Sequence, residues 1–221
     1  MLKDDAAVLM TGPANLGLDE LEVDALTELV NLGVSRAAAS LRELVAEQVH
    51  LSVPSLSVLT KPEAAASIRG PDGRRLIAVR QSFEGEFSGR ALLIFPEANS
   101  LELVRAVAGE HLSLDDIAEL EHEALAEIGN IILNGCMGTI SNLLRRNLVM
   151  SLPEILRGQG LDFFDLSRPA AEDVVLFIRI NFTLRGRQIS GYVALVMDLP
   201  SLTSLKALVA EFIRRTAGSE D

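Results

Sequence analysis

Apolar and polar positions follow two different periods along this chain, and the switches between them divide it into elements. From Asp19, Leu26, Leu29, Val30 and Gly33 recur at helical spacing and predict a helix through Ala37-Ala38-Ala39 to about Ala46. A β-like stretch follows, Val49 to Leu59, with Pro54 inside it. Two strand candidates, Arg75 to Phe83 and Glu86 to Phe95, flank Glu84-Gly85 as a hairpin turn. A helix over Ala98 to Ala108 closes this half. The same order then recurs. A helix is expected over Leu114 to Arg146, then a β-like segment from Leu148 that contains Pro153. Strands Val174 to Leu184 and Gln188 to Asp198 flank Arg185-Gly186-Arg187, and a helix runs from about Ser201 to Thr216.

This order is an internal repeat. Phe87-Ser88-Gly89-Arg90-Ala91-Leu92-Leu93-Ile94-Phe95 aligns with Ile189-Ser190-Gly191-Tyr192-Val193-Ala194-Leu195-Val196-Met197 at an offset of 102. The expected organisation is an N-terminal arm (1–18), broken up by Gly12-Pro13, Asn15 and Gly17, then one domain (19–216) and a polar tail (217–221). The domain comprises two repeats, about 19–110 and 111–216. Hairpins imply antiparallel pairing, so the predicted class is α+β: a pseudo-two-fold repeat whose antiparallel central sheet is flanked by helices.

A polar set repeats as well. The first half has Asp24, Glu28, Asn31 and Pro54; the second has Glu123, Glu127, Asn130 and Pro153. Both keep intervals of 4, 3 and 23 residues, at an offset of 99. The larger hairpin offset puts a net insertion of three residues between each proline and its hairpin. Positions i, i+4 and i+7 share one face of a helix, so each half presents an acid, a Glu and an Asn side by side. A solvated helix face is the bland interpretation of any single Glu-x-x-Asn. Its duplication together with a distant proline favours a functional one, although a duplicated structural helix would also keep the spacing.

Composition narrows the chemistry. The chain has 221 residues, 48% hydrophobic and 23% charged, as expected of a folded globular protein. Its 20 Lys+Arg against 31 Asp+Glu give a net charge of −11, which argues against a nucleic-acid partner or an anionic membrane surface. The single cysteine, Cys136, allows neither an intrachain disulfide nor a multi-cysteine zinc site, and it suits a reducing cytoplasm. The opening MLKDDAAVLM has acids where a signal peptide needs cations, and no apolar run is long enough to insert in a membrane. His50, His111 and His122 form no H-E-x-x-H pattern; a metal cluster of His122 with Glu119 and Glu123 is the weaker alternative to solvated side chains. Cys136 follows Gly135 in an apolar helix and reads as a small core residue. Gly-rich phosphate loops are absent from the sequence. Gly70-Pro71-Asp72-Gly73-Arg74 reads as a turn, and Arg145-Arg146 suits a helix C-terminus.

The string acid-x3-Glu-x2-Asn-x22-Pro resembles the signature of the CheC/CheX/FliY phosphatases of bacterial chemotaxis. Glu127-Ile128-Gly129-Asn130-Ile131 is similar to that family's E-I-G-N-I core, and Ser52-Val53-Pro54 and Ser151-Leu152-Pro153 resemble its proline segment. Two signatures in one chain, over about residues 19 to 216, resemble the CheC branch most closely. The resemblance implies a phosphatase acting on the aspartyl phosphate of a CheY-type response regulator. It implies that Glu28 and Glu127 dock on a receiver lysine and that Asn31 and Asn130 orient the attacking water. Pro54 and Pro153 shape the adjoining segment, and Asp24 and Glu123 support the site. No cofactor is expected in this chain; Mg2+ belongs to the receiver's acidic pocket. The other class of function is a non-catalytic adaptor that binds a receiver domain or the deamidase CheD.

Two departures stand out. Glu123 occupies a position where the family usually has Asp or Ser, and the longer acid is expected to crowd or cap that face. Val30 and Val34 replace small residues, and their bulk is expected to limit how closely a partner backbone approaches.

Overall fold

The computed structural model of the chain describes residues 18–45, 48–68, 75–108, 114–164, 173–184 and 187–217. Nearly all of the N-terminal arm, the turn at Gly70–Arg74, His111, most of the tail, and Arg185-Gly186 lie outside them. The first repeat runs α1 (Glu20–Val45), β1 (Val49–Thr60), α2 (Lys61–Ile68), β2 (Leu76–Gly85), β3 (Gly89–Pro96), a 3-10 turn and α3 (Ser100–Ala108). The second runs α4 (Leu114–Leu143), β4 (Leu148–Met150), β5 (Glu154–Gly158), α5 (Gly160–Phe163), β6 (Asp173–Leu184), β7 (Arg187–Asp198) and α6 (Leu199–Ala217).

Local chemistry sets the boundaries. At the start of α1 the Asp19 N–H donates to Glu22 Oε2 (2.9 Å) and the Glu22 N–H donates to Asp19 Oδ1 (2.8 Å). This reciprocal cap satisfies two donors that the first helical turn leaves open. Both prolines interrupt strand pairing because they bring no N–H to the ladder. In β1 the register shifts between Ser52 and Ser55. In the second repeat the expected single β segment is two strands, β4 and β5, separated by Ser151-Leu152-Pro153. Helix α4 stops at Leu143 rather than Arg146, and β2 continues through the expected turn to Gly85.

The described strands form one antiparallel sheet in the order β1-β6-β7-β3-β2-β4, with β5 also on β2. The order is symmetric about the β3–β7 junction, where Arg90 to Ile94 face Val196 to Tyr192. The two repeats therefore merge their sheets as expected, but they also exchange strands. The proline strand of the first repeat pairs with β6 of the second, and β4 and β5 of the second pair with β2 of the first. Ser55 pairs with Arg179 and Glu154 with Arg80, both related by the offset of 99. That offset thus persists inside the hairpin's first strand. The extra residues therefore do not enter before the hairpin.

Strand alternation splits the core in two. On one face Ile77, Val79, Phe83, Leu93 and Leu195 pack with α1, α3, α4 and α6. On the other Ala78, Leu92, Ile94 and Val196 pack with α2 and α5. At the start of α2, the fully buried Lys61 pairs with Asp173 of β6. Removing one partner of such a pair costs about 3–5 kcal/mol, because the other is left charged in the interior. The long helices α1 and α4 cross closely. A Cβ on Gly33 would lie 2.7 Å from Cys136 Cα, and one on Gly135 would lie 2.9 Å from Ala37 Cβ. Cys136 is buried at this crossing, and burial pushes its thiol up to about 12. Among the described residues, no helix is long and apolar enough to cross a membrane.

Candidate functional site

The duplicated polar residues occupy equivalent places on α1 and α4. Asp24 and Glu28 are exposed with Asn31 half-buried beside them; Glu123 and Glu127 are exposed with Asn130 half-buried beside them. The apolar positions of the same helices, Leu26, Leu29, Leu125 and Ile128, are buried against the sheet. Each helix thus turns its acids outward and holds its Asn at the margin of the core. Among the described residues none of the four carboxylates makes an ion pair or hydrogen bond, so each is available to a partner. Glu123 is exposed and makes no capping hydrogen bond among the described residues.

The two sites differ in what surrounds the Asn. Asn130 Oδ1 accepts from Asn134 Nδ2 (2.7 Å), one helical turn on, and from Gln81 Nε2 (3.2 Å) of β2. Gln81 Nε2 also donates to the Ser151 carbonyl (2.8 Å), in the connection that leads to Pro153. That connection is clamped to β2: the Ser151 N–H donates to the Ser82 carbonyl, and Ser151 Oγ accepts from the Ser82 N–H, each at 2.9 Å. Pro153 is half-buried, and Leu152 beside it is 85% exposed. Among the described residues the Asn31 side chain has no hydrogen bond. The position related to Gln81 is Ile180, and the position related to Asn134 is Ser35, which is exposed. Pro54 lies in β1 at its register shift.

Gln81 was not singled out by the repeat. It lies on the helix-facing side of β2 between Val79 and Phe83, both fully buried, and is itself 1% exposed. Among the described residues its Oε1 is buried without a hydrogen-bond partner. An unpaired buried acceptor costs about 1–3 kcal/mol, which the two bonds made by Nε2 have to offset. The available signal was the break in alternation: Ile77, Val79, Gln81, Phe83 against Ile178, Ile180, Phe182 in the other half.

Gly129 explains how the helix comes within reach. A Cβ there would lie 2.4 Å from Val79 Cγ1 and 2.5 Å from Val79 Cβ, so α4 sits directly on β2 only because residue 129 has no side chain. Val30 holds the equivalent place in α1 and is buried. The small residue therefore serves helix–sheet approach within this chain. The expectation that bulk at Val30 and Val34 limits the approach of a partner is overturned, since both face the core. His50 and His122 are exposed, and no group of three His, Cys, Asp or Glu suited to a metal ion occurs among the described residues. Arg146 pairs with Glu86 and Glu211, which accounts for its charge.

No protein-family model matches the chain. It is 25% identical over 201 residues to the CheY-P phosphatase CheC of Bacillus subtilis, covering 86% of this chain and 94% of that protein. It is 20% identical over 210 residues to the flagellar motor switch phosphatase FliY of the same organism, covering 92% of this chain and 52% of the relative. Among solved structures, Thermotoga maritima FliY superposes with a TM-score of 0.71 at 16% identity, over 89% of this chain and all of that one. The structural likeness shows the fold, and a fold by itself does not specify an activity.

Proposed function

We infer that this chain, a member of the CheC/CheX/FliY family, hydrolyses the aspartyl phosphate of a CheY-type response regulator. The observation that carries this reading is the twice-presented pairing of a free, exposed Glu with a half-buried Asn on one helix face, Glu28 with Asn31 and Glu127 with Asn130. An acyl phosphate asks little covalent chemistry of its catalyst; in-line hydrolysis depends on positioning and charge stabilisation. The bond from the water oxygen to phosphorus forms as the bond from phosphorus to the carboxyl oxygen breaks. The aspartate leaves as a carboxylate, and both water protons end on the phosphate.

In this account Asn31 and Asn130 hold the attacking water. At the second site the amide oxygen of Asn130 is already occupied, so its Nδ2–H donors take the water oxygen and leave another lone pair to face phosphorus. Glu28 and Glu127 dock by pairing with a lysine of the receiver, a charge-assisted contact. Asp24 and Glu123 add negative charge to the same surface, and Pro54 and Pro153 shape the strand beside it. Mg2+ stays with the receiver. The reading places the chain in the cytoplasm, where the receiver is found. The acidic surface also suits CheD as a second partner, and an adaptor that binds a receiver without turnover is the competing function.

The test is loss of phosphoryl label from a phosphorylated CheY-type receiver, with receiver binding measured in parallel. The expected result is faster loss with the wild-type chain and the unassisted rate with the double variant Asn31→Ala/Asn130→Ala, while binding persists. Wild-type binding with unchanged decay establishes the adaptor instead.

A further inference from the structure

We propose that Gln81 and Asn134 are positioning residues that lock the Asn130 carboxamide with its Nδ2 donors outward, and that the second site is for this reason the working one. The proposal rests on the phosphatase reading for its kinetic consequence and on the geometry alone for the lock. A backbone carbonyl can only accept, so the 2.8 Å contact with Ser151 O fixes which end of the Gln81 amide faces that connection. The same Nε2 lies 3.2 Å from Asn130, so the atom of Asn130 that meets it must be the oxygen. Asn134 Nδ2, at 2.7 Å, takes the remaining lone pair of that oxygen. The amide of Asn130 thus has one orientation, set by a chain of bonds that begins at the main chain. Among the described residues its Nδ2 has no protein partner.

Three further observations point to function rather than folding. Gln81 leaves its own Oε1 buried and without a partner among the described residues. The fold accepts an aliphatic residue at this place, since Ile180 occupies the related position of β6. And Gly129 removes a side chain that would clash with Val79 of β2, where the first repeat has the buried Val30. Asn31, flanked by Ile180 and Ser35 at the related positions, has to be ordered by the receiver at each encounter. Asn130 is ordered beforehand, which is the condition under which a positioned group contributes most to rate.

The experiment substitutes Gln81→Ile in the Asn31→Ala chain, which isolates the second site, and follows decay of the phosphorylated receiver with thermal unfolding alongside. The expected result is a kcat lower by about tenfold or more with KM unchanged, and an unfolding midpoint equal to or above that of the parent. A residue that merely supports the fold would lower the midpoint instead, and an unchanged kcat overturns the proposal. Side-chain amide 15N relaxation, which needs no substrate, reads the lock itself. Asn130 should be more ordered than Asn31 and should loosen in Gln81→Ile; equal mobility of the two overturns the proposal. If the wild-type chain does not speed decay at all, it is the phosphatase reading that fails, and the relaxation result still decides the lock.

Discussion

Asn130 gains its character from being bonded on one side only. Its oxygen is held twice and its nitrogen has no partner among the described residues, so it meets a partner as a fixed donor, whereas the Asn31 amide makes no hydrogen bond among them. The Glu/Asn pairs were legible in the sequence because residues three apart on a helix are neighbours whatever the tertiary structure does. Gln81 was not, because its contact with Asn130 joins a strand to a helix 49 positions away. Only the alternation of β2 hinted at it. Cys136 was legible as a core residue, and burial gives it a testable property. Its thiol is pushed up to about 12 from an ordinary 9.0, so the folded chain holds the proton that the unfolded chain gives up. Stability from this group is complete below pH 9 and is lost as the pH rises toward 12. A thiol reagent at pH 8 should label Cys136 only in denaturant, and the denaturation midpoint should drop above pH 9 less steeply in Cys136→Ala than in wild type. Labelling of the native chain would contradict the assignment.

At the scale of elements, the long helices and the hairpins were foreseen, since each carries its own period over many residues. The short helices α2 and α5 were not, because four to eight residues hold too little periodicity to separate from a loop. The proline segments looked alike in sequence, yet one is a shifted strand and the other two strands around an open connection. The contact of α4 with β2 is the element-level device that builds the second site. Gly129→Ala places a methyl against Val79, with an overpacking cost of about 1–3 kcal/mol. The gain in helix propensity, about 1 kcal/mol, offsets only part of it. Chemical denaturation should therefore show a destabilised chain, and turnover by the Asn31→Ala/Gly129→Ala chain should fall as Asn130 moves away from Gln81. A chain as stable and as active as its parent would show that the close approach is dispensable.

For the molecule as a whole, the sequence predicted two repeats sharing one sheet, but not that each lends its proline strand to the other. Hairpin signals report local pairing, whereas Ser52 with Asn181 is a partnership across most of the chain. The exchange makes the second site composite: Asn130, Asn134 and Ser151 come from one repeat and Gln81 from the other. Neither repeat closes its own sheet edge, so fragments 19–110 and 111–216, expressed separately, should lack a cooperative unfolding transition. A cooperative transition in either would show that the repeat is an independent folding unit. The pseudo-symmetry also provides the internal comparison on which the functional account turns, because two sites with the same signature residues differ in their support. The most direct measurement is the decay rate of a phosphorylated CheY-type receiver with wild type, Asn31→Ala and Asn130→Ala at equal concentration. The account predicts that Asn31→Ala keeps most of the wild-type acceleration and Asn130→Ala loses most of it. Equal losses, or the larger loss in Asn31→Ala, would contradict it.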